Sequence, residues 1–314
     1  MRRSAVTSAA AVLALFLAGC GDADDAGDAG DEVPEVATPG TETPEPAPAN
    51  APEDLAALET VTVEGEADSA PSLSFDQPFT VTGPAAVLVN SGDGAAITEE
   101  TLLVVDFVQV DGADGTEVYS TYDATAETMM LSNLVPAVSD LLEGESVGTR
   151  VLFASPNQDS AVLMALEVSD ARELRADGSP VDVPEGLPTV TLADDGEPSV
   201  EPADGEAPTE LVVAPVLEGE GKAIEEGDHV IVQYSGWLWD GTPFDSSWSR
   251  PEPLALTAGA GEVIEGWDTG LLGQTVGGQV LMVIPPELGY GDADQGTIPP
   301  NSTLVFVVDI IYAG

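Results

Sequence analysis

The 314-residue chain contains an internal repeat with a nearly constant offset. The segment Thr-Val-Thr-Val at 60–63 returns as Thr-Val-Thr-Leu at 189–192, and the segment 134–142 returns at 263–271. The same distance along the chain separates the members of both pairs. Such a spacing is typical of a duplicated domain and not of one large irregular domain.

The ends of the repeat set the predicted domain boundaries. Each copy closes on an apolar run that carries one carboxylate, Glu167 in the first and Asp309 in the second. We place the two copies at 58–180 and 187–314, which fits the size of ordinary domains. An acidic stretch rich in glycine and proline, near 176–188, is the predicted joint.

Each copy is predicted to consist mainly of strands. Short runs of Val, Ile and Thr alternate with Gly, Asp and Pro turns, a pattern typical of β-structure. The segment from Val263 to Leu272 differs, since it has few β-branched residues after its first two positions and predicts two or three helical turns ending at Gly273. An antiparallel sheet packed on one short helix is an α+β architecture.

Charge and ligand content exclude several functions. The chain carries 57 Asp and Glu against 7 Lys and Arg, a net charge of −50. Nucleic acid is therefore not expected as a partner, because phosphate binding needs clustered basic residues. With one His and one Cys, the chain can form neither a Cys/His zinc site nor an internal disulfide. We expect neither a metal nor a cofactor.

The N-terminus has the pattern of an export signal. Two arginines precede an unbroken apolar run from Ala9 to Leu17, which is too short to span a membrane and fits a signal peptide. The Leu-Ala-Gly-Cys that follows resembles a bacterial lipobox. We predict a signal peptide over 1–19 and a lipid anchor at Cys20, on the outer face of the cell membrane. An ordinary secretory signal with an incidental Cys is the alternative.

Residues 20–57 are typical of a linker. They are rich in Asp, Glu, Ala, Gly and Pro, and they contain no Lys or Arg. They show no hydrophobic periodicity. We predict a disordered acidic tether that holds the folded part away from the membrane.

Six segments of the second copy follow the order of one known family. They cover about a third of the chain and lie at 232–236, 240–247, 263–267, 276–278, 284–291 and 298–306. In this set the second copy resembles the FKBP-type peptidyl-prolyl isomerases. The family fold is a strongly curved antiparallel sheet wrapped around one short helix, so the resemblance implies two tandem FKBP-like domains.

The resemblance implies an apolar pocket for a proline ring. Trp267 is expected to be its floor. The expected walls are Tyr234, Phe244, Leu254, Val263, Ile264 and Phe306. Leu254 stands where many members have an aromatic residue, which loosens one wall.

The resemblance also implies polar contacts around the pocket. The Ile264 amide and the Tyr290 hydroxyl are expected to bind substrate carbonyl groups. Asp245 is expected at the rim, kept ionised by Arg250, and Ile298 on a loop that closes over the peptide. From residue type alone, the pocket aromatic residues would be assigned to the core, Asp245 to a turn cap and Tyr290 to a loop.

The first copy lacks most of these residues. Val118 and Tyr119 replace the Phe-Asp pair at 244–245, and Val138 replaces Trp267. The long loop before the last strand is missing as well. We therefore expect the first copy to be degenerate and inactive, serving as a spacer, a substrate-docking surface or a stabilising partner.

Two classes of function fit this sequence. The first is an anchored enzyme that isomerises X-Pro bonds of proline-containing exported polypeptides, a step that takes tens of seconds or longer without a catalyst. The alternative is a non-catalytic proline-peptide binding module or holdase chaperone. The nearly complete pocket of the second copy favours the enzyme.

Overall fold

The computed structural model describes residues 49–314. These residues form two compact units, one of 49–99 with 103–171 and one of 172–314 with 100–102. The predicted signal peptide, Cys20 and most of the predicted linker lie outside the described residues. None of the described helices is long and apolar enough to cross a membrane.

The first unit is built mainly of strands. Its helices are α1 (Pro52–Leu58) and α2 (Pro136–Leu142), with a short 3₁₀ helix at Leu131–Asn133. Its strands are β1 (Thr62–Glu64), β2 (Ser72–Ser74), β3 (Ala85–Asn90), β4 (Thr101–Asp111), β5 (Glu117–Ser120), β6 (Glu127–Met130), β7 (Arg150–Asn157) and β8 (Ser160–Glu173).

The second unit is also built mainly of strands. It contains one α-helix, α3 (Glu265–Leu271), and a 3₁₀ helix at Pro286–Leu288. Its strands are β9 (Ser179–Pro180), β10 (Thr189–Leu192), β11 (Pro198–Glu201), β12 (Val212–Glu218), β13 (His229–Leu238), β14 (Pro243–Ser246), β15 (Leu254–Thr257), β16 (Gln279–Ile284) and β17 (Leu304–Ala313).

The main sheets of the two units have the same strand order. It is β3-β7-β8-β4-β5 in the first unit, with β6 also paired to β4. It is β12-β16-β17-β13-β14 in the second, with β15 also paired to β13. The register agrees too, since Arg150 lies opposite Glu167 as Gln279 lies opposite Asp309. The prediction of sheet-dominated units with few helices is confirmed.

Both faces of each main sheet are covered. On the inner face of the second unit, Trp267 and Leu271 of α3 pack with Tyr234 and Phe306, and α2 packs in the same way in the first unit. A β-hairpin packs on the outer face, β1–β2 in the first unit and β10–β11 in the second. These hairpins contain the repeated Thr-Val-Thr segments, so the duplicated unit includes its outer layer.

Folded structure begins inside the linker predicted over 20–57, which corrects that boundary. Helix α1 starts at Pro52, and Asp54 is 3% exposed. Its carboxylate accepts hydrogen bonds from the backbone of Thr82 (2.8 Å) and Gly83 (3.0 Å). Buried carboxylates persist where such donors satisfy them. The acidic composition concealed the helix because this acid is a buried acceptor and not a solvated charge.

The boundary between the two units, at 171–172, lies before the joint predicted near 176–188. Strand β9 pairs with β12 through Pro180 and Leu217. The backbone N–H of Ala176 donates to Asp309 at 2.7 Å. Residues 176–180 therefore pack with the second unit, because the outer edge of β12 and the Asp309 carboxylate give their backbone groups partners.

Candidate active site

A cleft of about 170 Å³ opens on the inner face of the second unit. It lies where α3, β13, β14, β15 and β17 meet the loop after β16. The residues around it are Tyr234, Phe244, Asp245, Leu254, Glu262, Val263, Ile264, Trp267, Tyr290 and Phe306. The sequence predicted nine of these ten, so the fold brings most of the predicted pocket together.

Aromatic rings form the base of the cleft. Trp267 is 3% exposed, and its ring meets those of Tyr234 and Phe306 edge to face, with centroids 5.2 Å apart in both pairs. Phe244 meets Phe306 in the same way at 5.4 Å. Edge-to-face pairs of this kind hold rings in fixed orientations. The base of the cleft is therefore an apolar surface of defined shape.

Two glycines permit this packing. A Cβ atom on Gly236 would lie 2.7 Å from the Phe244 ring and 2.9 Å from the Phe306 ring. A Cβ atom on Gly266 would lie 2.4 Å from Ile284 of the neighbouring strand. Any larger residue would push the ring of Phe244 away or lift α3 off the sheet. The glycines within the 232–236 and 263–267 motifs therefore serve close approach.

A hydrogen-bonded triad closes one side of the cleft. The Tyr234 hydroxyl donates to Asp245, and Arg250 donates to both residues, at 3.1 Å to the Tyr234 oxygen. Burial, together with the Asp245 hydrogen bond, raises the pKa of Tyr234 to about 12. Tyr234 is therefore a neutral donor already committed to Asp245. Arg250 also lies 5.7 Å from the centre of the Tyr234 ring.

Tyr290 and Ile264 also line the cleft. Tyr290 follows the 3₁₀ helix at Pro286–Leu288 and is 39% exposed. Its loop is fixed by a bond from the Gly291 amide to the Pro286 carbonyl (2.9 Å). Ile264 has an extended backbone and precedes α3, with its carbonyl accepting from the Trp267 amide at 2.9 Å. Each of these positions is held by local backbone geometry.

Two predicted residues do not line the cleft, and one lining residue was missed. Ile298 is 5% exposed and packs within the inner cluster that includes Trp267. Arg250 acts on the cleft through Asp245 and Tyr234. Glu262 does line it, with its carboxylate accepting from the Thr257 amide at 2.9 Å. In the sequence, only the position of Glu262 next to Val263 suggested that it lines the cleft. The direction of its side chain is set by the contact with Thr257, which the sequence does not reveal.

Comparison with known proteins identifies this class of site. The family model for FKBP-type peptidyl-prolyl cis-trans isomerases matches residues 220–311. A FK506-binding protein of Neisseria meningitidis serogroup B is 45% identical over 102 residues, which are 32% of this chain and 94% of the relative. A FK506-binding protein of Streptomyces anulatus is 42% identical over 118 residues, 37% of this chain and 95% of the relative.

FkpA is a longer relative. FkpA of Escherichia coli K12, described as an FKBP-type peptidyl-prolyl cis-trans isomerase, is 48% identical over 103 residues, 33% of this chain and 37% of the relative. A crystal structure of FkpA from E. coli is 39% identical and covers 41% of this chain and 52% of its own, with a TM-score of 0.32.

The sheet, helix and aromatic cleft thus define an isomerase domain of the FK506-binding type. The chain belongs to the FKBP-type peptidyl-prolyl cis-trans isomerase family and is an enzyme of that class. The resemblance predicted from the sequence is confirmed. The family match begins at residue 220, so the first unit and the β10–β11 hairpin lie outside it.

Proposed function

We propose that the second unit isomerises X-Pro bonds of exported polypeptides by enclosing the prolyl ring in the aromatic cleft. The observation that carries this proposal is the edge-to-face cluster of Tyr234, Trp267 and Phe306 at the base of the cleft. An apolar surface of fixed shape suits a pyrrolidine ring. The polar groups of the cleft lie around its rim.

The proposed chemistry needs no covalent intermediate. The barrier of about 18–20 kcal/mol comes from amide resonance, and rotation neither makes nor breaks a bond. A twisted amide has lost conjugation and polarity, so a dry apolar site stabilises it relative to the planar, well-solvated ground state. A rate gain on the order of 10⁵ requires about 7 kcal/mol of such preference.

Individual residues have distinct proposed roles. Trp267 supports the proline ring, and the Ile264 amide and Tyr290 hydroxyl bind substrate carbonyl groups. Tyr234 forms a wall, since its proton is already donated to Asp245. Asp245 faces the carbonyl of the twisting amide with its charge balanced by Arg250. No proton transfer is assigned to any of them.

We propose that the first unit is an inactive FKBP-like copy. Tyr119 stands at the position of Asp245, and its ring packs against Phe107 with centroids 5.6 Å apart. Val138 is fully buried at the position of Trp267. This unit therefore lacks the indole and the carboxylate of the cleft, and it serves as a spacer, docking surface or stabilising partner.

We further propose that the enzyme acts at the outer face of the cell membrane, through a lipid anchor at Cys20. The export pattern of residues 1–19 supports this location. Its partners are then proline-containing clients that fold after export. The cleft requires neither a metal nor a cofactor for rotation of a single bond.

Exchange NMR on a proline-containing tetrapeptide tests the proposal. We expect the full chain to accelerate cis–trans exchange, and Phe244→Ala to reduce that acceleration sharply. Acceleration that persists in a folded Phe244→Ala variant would overturn the assignment of the cleft. Binding without acceleration by the wild type would replace catalysis with the proline-peptide binding module or holdase function.

A further inference from the structure

A second, larger cavity lies on the outer face of the second unit. It measures about 520 Å³ and runs between β13–β14 and the turn end of the β10–β11 hairpin. We call it the hairpin groove. Its floor includes Ser235, Trp237 and Ser246, and its hairpin side includes Ala193 and Ser199. The hairpin precedes the family match at 220–311, so the groove is built by an added element.

The first unit closes the equivalent space. Val108, at the position of Ser235, is buried in a cluster with Leu58 of α1, Phe79 and residues of the β1–β2 hairpin. The second unit has no helix at the position of α1 among its described elements. The same outer layer thus seals the sheet in one unit and leaves a groove in the other.

The floor of the groove presents a pair of hydroxyl groups, from Ser235 and Ser246, where the first unit has Val108 and Ser120. Ser235 is 3% exposed, and its Oγ lies 2.9 Å from Oγ of Ser246. The mutual bond uses only one of the two hydroxyl protons, so this pair retains a donor and lone pairs. Beside it lies the apolar surface of Trp237. Hydroxyl and indole together suit a peptide group with an apolar neighbour.

The hairpin groove meets the cleft across one strand. Phe244 and Asp245 of β14 line both cavities. Strand β14 lies at the edge of the main sheet. A peptide whose proline lies in the cleft can therefore pass around this edge beside Phe244 and enter the groove.

We propose that the hairpin groove binds the extended stretch of client polypeptide next to the isomerised proline. This inference rests on the proposed function of the cleft. The occupant is expected to be basic, because Asp194, Asp195 and Glu197 form the acidic turn of the hairpin. The groove then gives the enzyme a preference for unfolded chains over short peptides.

Exchange NMR on the full-length protein tests the groove with three probes. One is a tetrapeptide with a single X-Pro bond, and two are twelve-residue peptides that extend it with lysine-containing sequence on the N-terminal or the C-terminal side. We expect kcat/KM for one long peptide to exceed that for the tetrapeptide by tenfold or more. In Ala193→Trp, which places an indole in the groove, this ratio should fall to nearly one.

Thr189→Trp is the matched control, since Thr189 is exposed on the same hairpin opposite Glu201, and neither residue lines the groove. It should keep the wild-type ratio. Equal kcat/KM for all three peptides in the wild type, or an equal loss of the ratio in both variants, would overturn the groove. Failure of the wild type to isomerise even the tetrapeptide would instead contradict the function of the cleft.

Discussion

The two units share the strand order of their main sheets but differ in the residues at the position of the cleft. Equivalent backbone contacts recur, such as the bond from the Phe107 amide to Thr121 (2.9 Å) and from the Tyr234 amide to Ser247 (2.8 Å). The isolated bridge of Ala96 and Ser146 recurs in the second unit as that of Ala223 and Thr275. The contacts that fix the backbone are therefore independent of those that form the cleft.

The differences are concentrated at the cleft and its rim. In the second unit, a long loop connects β16 to β17 and contains Tyr290. The first unit joins β7 to β8 by a tight turn, and Val118, at the position of Phe244, is 57% exposed. A fold of this kind tolerates loss of its site because the sheet and helix keep their own core.

A buried polar pair occupies the same register position in both units but differs in its charges. Arg150 and Glu167 form a buried ion pair on β7 and β8. At the same register, Gln279 donates to Asp309 at 2.7 Å on β16 and β17. Each pair connects the two strands of its main sheet that come last in the chain, but only the first pair consists of two opposite charges. The two pairs should therefore contribute differently to the free energy of unfolding.

Trp267→Ala is expected to have the largest effect. Loss of a buried Trp leaves a cavity and costs about 3–5 kcal/mol of stability. It also removes the base of the cleft, so we expect kcat/KM for a tetrapeptide to fall by roughly 100-fold or more, about 2.7 kcal/mol in the transition state. Exchange NMR and denaturant unfolding measure the two effects.

Val138→Ala is the matched change in the first unit. It should lower the stability of that unit and leave isomerase activity unchanged, because Val138 fills the inner core there. If the double variant of the two units lost no more activity than Trp267→Ala alone, the first unit would be confirmed as inactive. Activity lost through Val138→Ala in a folded protein would break the comparison.

Glu167→Ala is expected to have the next largest effect, on stability alone. Removing one partner of a buried ion pair leaves the other charge uncompensated, which costs about 3–5 kcal/mol. Glu167 also accepts from the Tyr122 hydroxyl at 3.2 Å. Urea unfolding should show an early transition of the first unit while tetrapeptide turnover persists. An equally large cost for Gln279→Ala would contradict the distinction between the pairs.

The sequence was sufficient to predict the repeat and nearly all of the cleft. The motifs could be assigned because glycines and aromatic residues at fixed spacing meet steric demands that few residues satisfy, as Gly236 and Trp267 show. The last residues of the predicted linker were misassigned because Asp54 is a buried hydrogen-bond acceptor, which composition does not distinguish from a solvated acid.

The hairpin groove could not be predicted from the sequence. It depends on how the β10–β11 hairpin packs against Trp237 and on the space left beside Ser235. The repeated Thr-Val-Thr segments indicated a strand in each copy, but strand patterns do not state which surface a hairpin covers. Glu262 was missed for a similar reason, since a loop contact with Thr257 sets its direction.

Asp309 should make the stability of the second unit depend on pH. Burial raises its pKa to about 6, against the opposing hydrogen bonds from Ala176 and Gln279. In the unfolded chain it ionises near 4, so between about pH 4 and 6 the folded state binds more protons and stability falls as pH rises. The effect is up to about 3 kcal/mol, at about 1.4 kcal/mol per pKa unit.

Asp309→Asn is the test of this titration. Among the described residues, Oε1 of Gln279 is buried without a partner, so a flipped Gln279 amide can accept from the new amide group. Denaturant midpoints of the variant and the wild type should therefore converge towards pH 4 and separate towards pH 7, with the variant more stable at neutral pH. Parallel pH profiles would show that Asp309 does not titrate in this range.

Asp245→Asn should have the smallest effect on turnover. Rotation about the X-Pro bond transfers no proton, and an amide oxygen still accepts from the Tyr234 hydroxyl, so we expect kcat/KM to fall by less than about tenfold, or 1.4 kcal/mol. Asp245→Ala leaves the Tyr234 hydroxyl without its acceptor and Arg250 without its counter-charge, and should cost somewhat more. If the Asn variant lost as much activity as Trp267→Ala, the Asp245 charge would be essential, and shape of the apolar cleft would not account for the difference between the two units.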